Sequence, residues 1–545
     1  MQPSILSLLP PLVVLALGIA THRVLFSLVC GIATASIIAT DFSLIAAIKL
    51  FVVRLYETSG FGSLSSWEAC IQSDTLMIIT FLAMLGVITF LLDHCGGARA
   101  YARYMGKKLT TQKDAEGATM LLSVCLFIDD YFSTLTTGSI MKNLTDKLKI
   151  PRVKLAYLVD SMAASVAIIV PISSWVAASV GPLSKAGFSP NIAKAVHFSG
   201  DPFFVYLSTI PFIMYSLIGI ASVGFIVFNR ISFGSMHRHE RIAATSGNLF
   251  GGRKQQAQAP DKADASVTPS LIDFIVPVLS FIFGIVFSIL YIGSYHLLGG
   301  SNSFLQAILA TNSAQALALG STLSVLISTL FLMARQRLKH RDLWYISHKG
   351  FSLTVETMQI LVLAWTMSEL LSGDLQTGTY LAHLLTGSLP LVLLPLMLFI
   401  TASVISFSMG SSWGALAIII PLAMPLIASL SGMATPINPA DFPFLYPALG
   451  AMLSGAVWGD HVSPISDTSI MSSASSGANH IDHISTQLLY TVPVYIGTGI
   501  ALTVSGVLAA KGLLLSSAVG LGLGISLSWA LLSFLNKGTP KEGSK

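Results

Sequence analysis

Gly459-Asp460-His461-Val462-Ser463-Pro464-Ile465-Ser466-Asp467-Thr468 follows directly on Leu445 to Trp458, a run apolar enough for a bilayer. Two carboxylates, an imidazole and the hydroxyls of Ser463, Ser466 and Thr468 therefore stand where hydrocarbon is expected. Ionisable groups at membrane depth cost roughly 2.5–3.5 kcal/mol each on insertion scales, and are retained where an ion or proton passes. A second cluster, Phe127-Ile128-Asp129-Asp130-Tyr131, lies in an equally apolar run far upstream. Two such clusters point to a carboxylate-lined path through a membrane.

Composition agrees. The chain has 545 residues, 53% hydrophobic and 10% charged, with mean hydropathy +0.76. Soluble domains carry about 25% charge. The expectation is an all-α polytopic membrane protein of about 11–13 transmembrane helices plus re-entrant or broken helices. The formal net charge of +5 gives no reason to invoke nucleic acid. Cys30, Cys70, Cys95 and Cys125 form no CxxC pair and read as buried small hydrophobes. No cofactor motif is present, HExxH and G-x-S-x-G are absent, and Asp460, His461 and Ser463 are too close in sequence for a hydrolase triad.

Candidate spans lie near 4–20, 24–41, 76–93, 155–180, 203–229, 271–298, 304–334, 351–371, 379–400, 414–430, 443–459, 489–510 and 513–535. Basic residues assign the sides. Arg99, Arg103, Lys107, Lys108 and Lys113 mark one cytoplasmic loop; Lys142, Lys147, Lys149, Arg152 and Lys154 mark another. Arg230 to Lys262, Arg335 to Lys349, and the tail with Lys537, Lys541 and Lys545 also read as cytoplasmic. The N-terminus is expected outside, with no cleaved signal peptide, and the C-terminus inside.

Residues 117–141 could span, yet basic loops flank both ends. A re-entrant hairpin removes that conflict, with Leu135-Thr136-Thr137-Gly138-Ser139 expected as its turn or unwound stretch. The organisation expected is a transmembrane half over 1–230, a disordered cytoplasmic linker over 231–269, a second half over 270–537 and a tail over 538–545. His237 and His239 fall in the linker, where they are either solvated or sensors of cytoplasmic pH.

Each half contains a small, polar break and then an acid-bearing segment. The first has Thr136 to Ser139 and then Lys154 to Ser161; the second has Ser408 to Gly414 and then Ser454 to His461. By the charge rule the Asp160 segment runs outward and the Asp460 segment inward, the pattern of two inverted-topology repeats.

Sodium, a hard cation, prefers carboxylates, alcohols and backbone carbonyls. Candidate cation- and proton-binding residues are Asp129, Asp130, Asp160, Asp460, His461, Ser463, Asp467 and Thr468. Thr137, Gly138, Ser173, Gly410, Ser411 and Ser412 are candidate lining groups, and Asp160, Asp460 and Asp467 are candidate ligands of a transported Na+. Alternatives stand beside these roles. Asp160 could pair with Lys154 or Arg152 at the interface. Asp460 and Asp467 could be helix caps, His461 a structural hydrogen bonder, and Trp175 and Trp413 packing residues.

These segments resemble the NhaC family of Na+/H+ antiporters. The resemblance rests on Phe127 to Tyr131, Lys154 to Ser161 with Val170 to Trp175, Met409 to Trp413, Gly459 to Thr468, and His480-Ile481-Asp482-His483 with Thr486-Gln487. It implies secondary exchange of Na+ for H+ across the cytoplasmic (inner) membrane by alternating access, with the lipid bilayer as surroundings and no resident cofactor; a homo-oligomer is compatible with it. Similar proteins exchange organic anions or amino acids, such as malate against lactate. The chain departs from the family pattern at Ser161-Met162-Ala163-Ala164-Ser165, Ser133 and Lys142-Asn143, which leaves the organic-substrate alternative open.

Overall fold

The computed structural model describes residues 5–537 apart from 22, 97–99, 101–103, 105–109, 194, 254–269, 378–379 and 381–389. Arg99, Arg103, Lys107, Lys108, Lys541 and Lys545, part of the expected 379–400 span and the later part of the expected linker lie outside the described residues.

The protein is all-α apart from one two-residue ladder, in which Phe188–Ser189 runs parallel to Phe198–Ser199. Eight described helices are long and apolar enough to cross a membrane, or nine if one bent pair counts as a single span. Shorter apolar helices, such as Val24–Ala39 and Pro202–Phe212, fill other expected spans. The chain breaks where hydropathy alone runs on: at Val170 to Ser173, at Ile213, and at Thr311-Asn312. Helix Ser412–Leu430 has 83% of its apolar window buried and is interior; Leu513–Lys537 has 22% and faces outward. Pro421 and Pro425 sit inside the buried helix, where neighbouring helices can satisfy the freed backbone groups.

Eleven helices matter for the site. In the first half these are α1 (Gln112–Cys125), α2 (Asp130–Lys147), α3 (Arg152–Ile169), α4 (Ser174–Lys185) and α5 (Met214–Asn229). The linker contributes α6 (Gly234–Ser246). The second half contributes α7 (Leu394–Met409), α8 (Ser412–Leu430), α9 (Leu445–Val462), α10 (Asp467–Ser476) and α11 (His480–Leu508).

Two expectations are corrected here. Leu135 to Ser139 is not a turn; it lies within α2. The turn between α1 and α2 falls at Leu126 to Asp129 instead. Hydroxyl side chains survive inside a helix because they can bond back to its own carbonyls, as Thr145 Oγ1 does to Met141 O at 3.1 Å. The pair still forms a hairpin: Gln112 Nε2, at the start of α1, donates to Leu148 O, just past α2, at 2.9 Å. The second correction concerns the linker. Residues 231–253 are ordered, with Ile231, Phe233, Met236 and Ala243 buried, because α6 carries an apolar face that docks on the membrane helices.

Candidate functional site

Four chain breaks meet at the centre. The first is the turn of the α1–α2 hairpin. Asp129 caps α2, its Oδ1 accepting Phe132 N–H at 2.9 Å. The second interrupts α3 and α4, which are bent by 50°. There Pro171 removes a donor. Ser173 Oγ donates to Ala167 O at 2.5 Å and accepts Trp175 N–H at 3.3 Å, so it satisfies both broken ends. Ser174 N–H donates to Ile128 O at 2.9 Å and ties this break to the hairpin turn.

The second half has the same two parts. Gly410 turns the chain from α7 to α8 at φ 65, and a Cβ there would fall 2.7 Å from Ile465 O. That close approach and the left-handed conformation both call for glycine. Ser411 caps α8 by accepting Gly414 N–H at 3.2 Å. The break between α9 and α10 is held by Ser463 Oγ donating to Phe407 O at 2.7 Å, and by Ser466, which caps α10 through Ser469 N–H at 3.2 Å. In each half, then, a hairpin turn packs on that half's own helix break.

A closed ring of contacts joins the halves. Trp175 Nε1 donates to Asp130 Oδ2 at 3.1 Å. The Trp175 and Trp413 rings lie 6.2 Å apart. Ser412, next to Trp413, donates to Asp460 Oδ2 at 2.9 Å, and Thr468 Oγ1 donates to the same oxygen at 3.4 Å. Tyr131 OH donates to Asp467 Oδ2 at 2.6 Å, which returns the ring to Asp130. Asp130 and Asp460 are 2% and 5% exposed, whereas Asp467 is exposed and forms the open edge. Asp460 Oδ1 and Trp413 Nε1 are buried without a protein partner.

Asp160 belongs to a separate node. Its carboxylate accepts Ser469 Oγ at 2.8 Å, Ser472 Oγ at 3.1 Å and Gln487 Nε2 at 2.6 Å, with His483 Nε2 at 3.3 Å and His461 Nε2 at 3.8 Å. His461 Nδ1 meets Tyr215 OH at 2.9 Å, and Gln487 also donates to His461 O. Four helices, α3, α9, α10 and α11, are joined through this one side chain. It shares no hydrogen-bond partner with Asp460 or Asp467.

Several alternatives left open by the sequence are now closed. Lys154 pairs with Glu240 and Arg152 with Asp146, so neither holds Asp160. Asp460 sits inside α9 and is no cap; Asp467 opens α10, but the cap is Ser466. Asp129 is the cap of α2, and its neighbour Asp130 joins the ring. Gly138 lies at the α2–α10 contact, where a Cβ would fall 2.1 Å from Ser475 Oγ, and Thr137 beside it is fully buried. The candidate ligands read from the sequence did not include Tyr131, Tyr215, His483 and Gln487, although all but Tyr215 stand in segments that carry the family resemblance. The last two are four apart on α11 and share a helix face, a spacing readable in advance.

Among the described residues, no three His, Cys, Asp or Glu side chains gather into a metal-holding group. No Lys or Arg pairs with Asp130, Asp160, Asp460 or Asp467 either. The carboxylates are held by hydroxyls, an indole, an amide and imidazoles. A buried charge without a fixed counter-charge is costly, several kcal/mol per ion after relaxation. A proton or a small cation removes that cost, and hydroxyl and carboxylate oxygens suit a hard cation.

Residues 166–507 match the Na+/H+ antiporter family. The chain is 32% identical over 508 residues to an uncharacterized protein of Haemophilus influenzae, covering 92% of this chain and 91% of that one. Over 107 residues, 20% of each chain, it is 33% identical to a malate-2H(+)/Na(+)-lactate antiporter of Bacillus subtilis. Among solved structures, the YdaH transporter of Alcanivorax borkumensis aligns with 84% of this chain and 89% of its own, at TM-score 0.47 and 10% identity.

Proposed function

The chain belongs to the Na+/H+ antiporter family, and from that premise we propose that it exchanges Na+ for H+ across the cytoplasmic membrane by alternating access, at the ring of Asp130, Asp460 and Asp467. It is a multi-pass membrane transporter rather than an enzyme. One observation carries the assignment of the site: these carboxylates are gathered at the chain breaks with no basic residue to neutralise them. Asp460 Oδ1, buried and unpartnered, is the atom that takes the proton or the cation. Thr468 Oγ1, Asp467 and the carbonyls freed at the breaks complete an oxygen-rich setting for Na+.

Exchange follows from charge. The empty ring carries uncompensated charge and is costly to move through a low-dielectric barrier. Loaded with protons or Na+, it carries less charge and can change the side it faces. Since both neutralise the same carboxylates, they compete, and movement of one is tied to return of the other. The breaks supply the hinges. The matching of hairpin turn to helix break in both halves supports two inverted repeats as the moving parts. The N-terminus faces outward and the C-terminus the cytoplasm, from the distribution of Lys and Arg. Asp160 serves as a buried junction that keeps α3, α9, α10 and α11 in register beside the ring.

A second reading is kept because of the match to the malate/lactate antiporter. In it the same ring couples Na+ or H+ to an organic anion. Everted vesicles with an imposed pH gradient separate the two. Collapse of the gradient on adding Na+ alone supports cation–proton exchange. A response that needs malate, lactate or an amino acid as well replaces it with the second reading.

A further inference from the structure

The segment joining the halves is built into the molecule. Phe233 N–H donates to Tyr490 OH at 3.0 Å, and the two rings stack at 4.3 Å. Glu240 on α6 accepts Lys154 Nζ at 2.6 Å, and that lysine is 1% exposed. Beyond α6, Leu249 O accepts Arg152 N–H at 3.1 Å, and Arg253 pairs with Asp482 at 2.7 Å. One further bond, Ser232 N–H to Asn536 Oδ1 at 3.0 Å, holds the last helix, but these four anchors lead to the site. Arg152 and Lys154 begin α3, the helix of Asp160. Asp482 is next to His483, and Tyr490 lies farther along the same helix. Arg152 also donates to Ser476 O at the end of α10 and to Asp146 near the end of α2, at 2.7 Å each. The segment thus grips the cytoplasmic ends of the helices that carry the Asp160 node and the ring.

His239 lies at the joint of this strap. It shares the inner face of α6 with Met236 and Ala243, and is 9% exposed. Its ring packs on the backbone of Gly251, so closely that a Cβ there would fall 2.1 Å from Cε1. Nδ1 has no protein partner. A neutral imidazole can leave a nitrogen lone pair unused at modest cost. An imidazolium would put a buried donor and a charge where nothing accepts them. The charged groups facing the ring are Arg238 on its own helix, Arg253 on the turn after it and Asp482 on α11. Of these, Asp482 favours the imidazolium but is paired with Arg253, and Arg238 and Arg253 both oppose it; burial opposes it most. On α3, Arg152 and Lys154 are already paired with Asp146 and Glu240.

We propose that residues 231–253 are a cytoplasmic strap that positions the ion site while His239 is neutral and detaches when His239 takes a proton. An acid cytoplasm then loosens the support of α3, α10 and α11 and slows exchange. The proposal rests on the exchange reading only for this last consequence.

The test is hydrogen exchange of the full-length protein in lipid nanodiscs between about pH 5.5 and 8, where histidine titrates. Rates are corrected for the intrinsic pH dependence of amide exchange. Protection of 234–253 is expected to fall about tenfold or more on the acid side, with α8 unchanged. His239→Gln, which cannot take the proton, is expected to stay protected and to keep its exchange rate at acid pH. Arg253→Ala, at an arginine 59% exposed, is expected to lower protection of 249–253 at every pH without unfolding the protein. Equal protection of the wild-type strap across the range overturns the proposal. So does loss of protection in His239→Gln matching that of the wild type. Because protection is read without transport, failure of the Na+/H+ reading leaves this result standing.

Discussion

Buried acids at the centre of the protein and buried acids toward its edge are held in opposite ways. At the edge each has a basic partner: Glu116 has Arg230, Glu240 has Lys154, and Asp273 has both Arg335 and Arg337. At the centre Asp130, Asp160 and Asp460 have only neutral or titratable donors. The edge pairs are complete in themselves and fasten helix ends. The central carboxylates are solvated as dipoles solvate an ion, but their charge is left for something that comes and goes. On the proposed exchange, that difference separates acids that fasten helices from acids free to take up an ion, with Asp160, a central acid held by several donors, at the boundary between them.

The largest effect should come from Asp460→Asn. It removes the charge but keeps the shape, so Na+-driven proton movement in everted vesicles is expected to vanish. Stability in detergent should change by less than about 1 kcal/mol or rise, since a buried charge is gone. Exchange at a normal rate would remove Asp460 from the transporting class. Asp160→Asn comes next and sharpens the boundary. It turns an acceptor of several charge-assisted bonds into an amide, each bond being worth about 1.5–3 kcal/mol. Exchange and thermal stability should both fall. Lost exchange with unchanged stability would move Asp160 from junction to ion site.

Asp273→Asn tests the edge. Asp273 is fully buried, but its arginines are 36% and 21% exposed and can turn to water. A stability loss of about 2 kcal/mol is expected, with exchange by the folded fraction intact. Abolished exchange in well-folded protein would break the comparison. Gly138→Ala is the smallest change. The new methyl meets Ser475 on α10, so overpacking of about 1 kcal/mol and a modest slowing of exchange are expected, read by thermal melt and initial rate.

Much of this was legible in the sequence. Spans such as Val24–Ala39 and Ser412–Leu430 follow from apolar runs and begin near their expected positions. The breaks at Pro171 and Pro464 fall where a proline stands close to serines in the sequence, a signal that hydropathy alone passes over. The hairpin turn was not. Its residues, Leu126, Phe127 and Ile128, are apolar because the turn is enclosed by protein, whereas the polar stretch that imitated a turn is helical and packs on α10. Nor did composition reveal the strap. Residues 231–253 are polar overall, yet Met236, His239 and Ala243 recur at helical spacing along α6, and that buried face suffices for docking.

The sequence by itself determined that the chain lives in a bilayer, that carboxylates stand beside runs apolar enough to span it, and which family those segments resemble. These follow from local composition and spacing. Only the tertiary structure decided which acids are neutralised and which are not. Asp160 meets its serine 309 positions away, and Tyr131 meets Asp467 across 336. The energy of a buried charge depends on its neighbours in space. Thus Glu240, in a basic polar stretch, and Asp460, beside an apolar run, differ in charge balance because one folds against a lysine and the other does not.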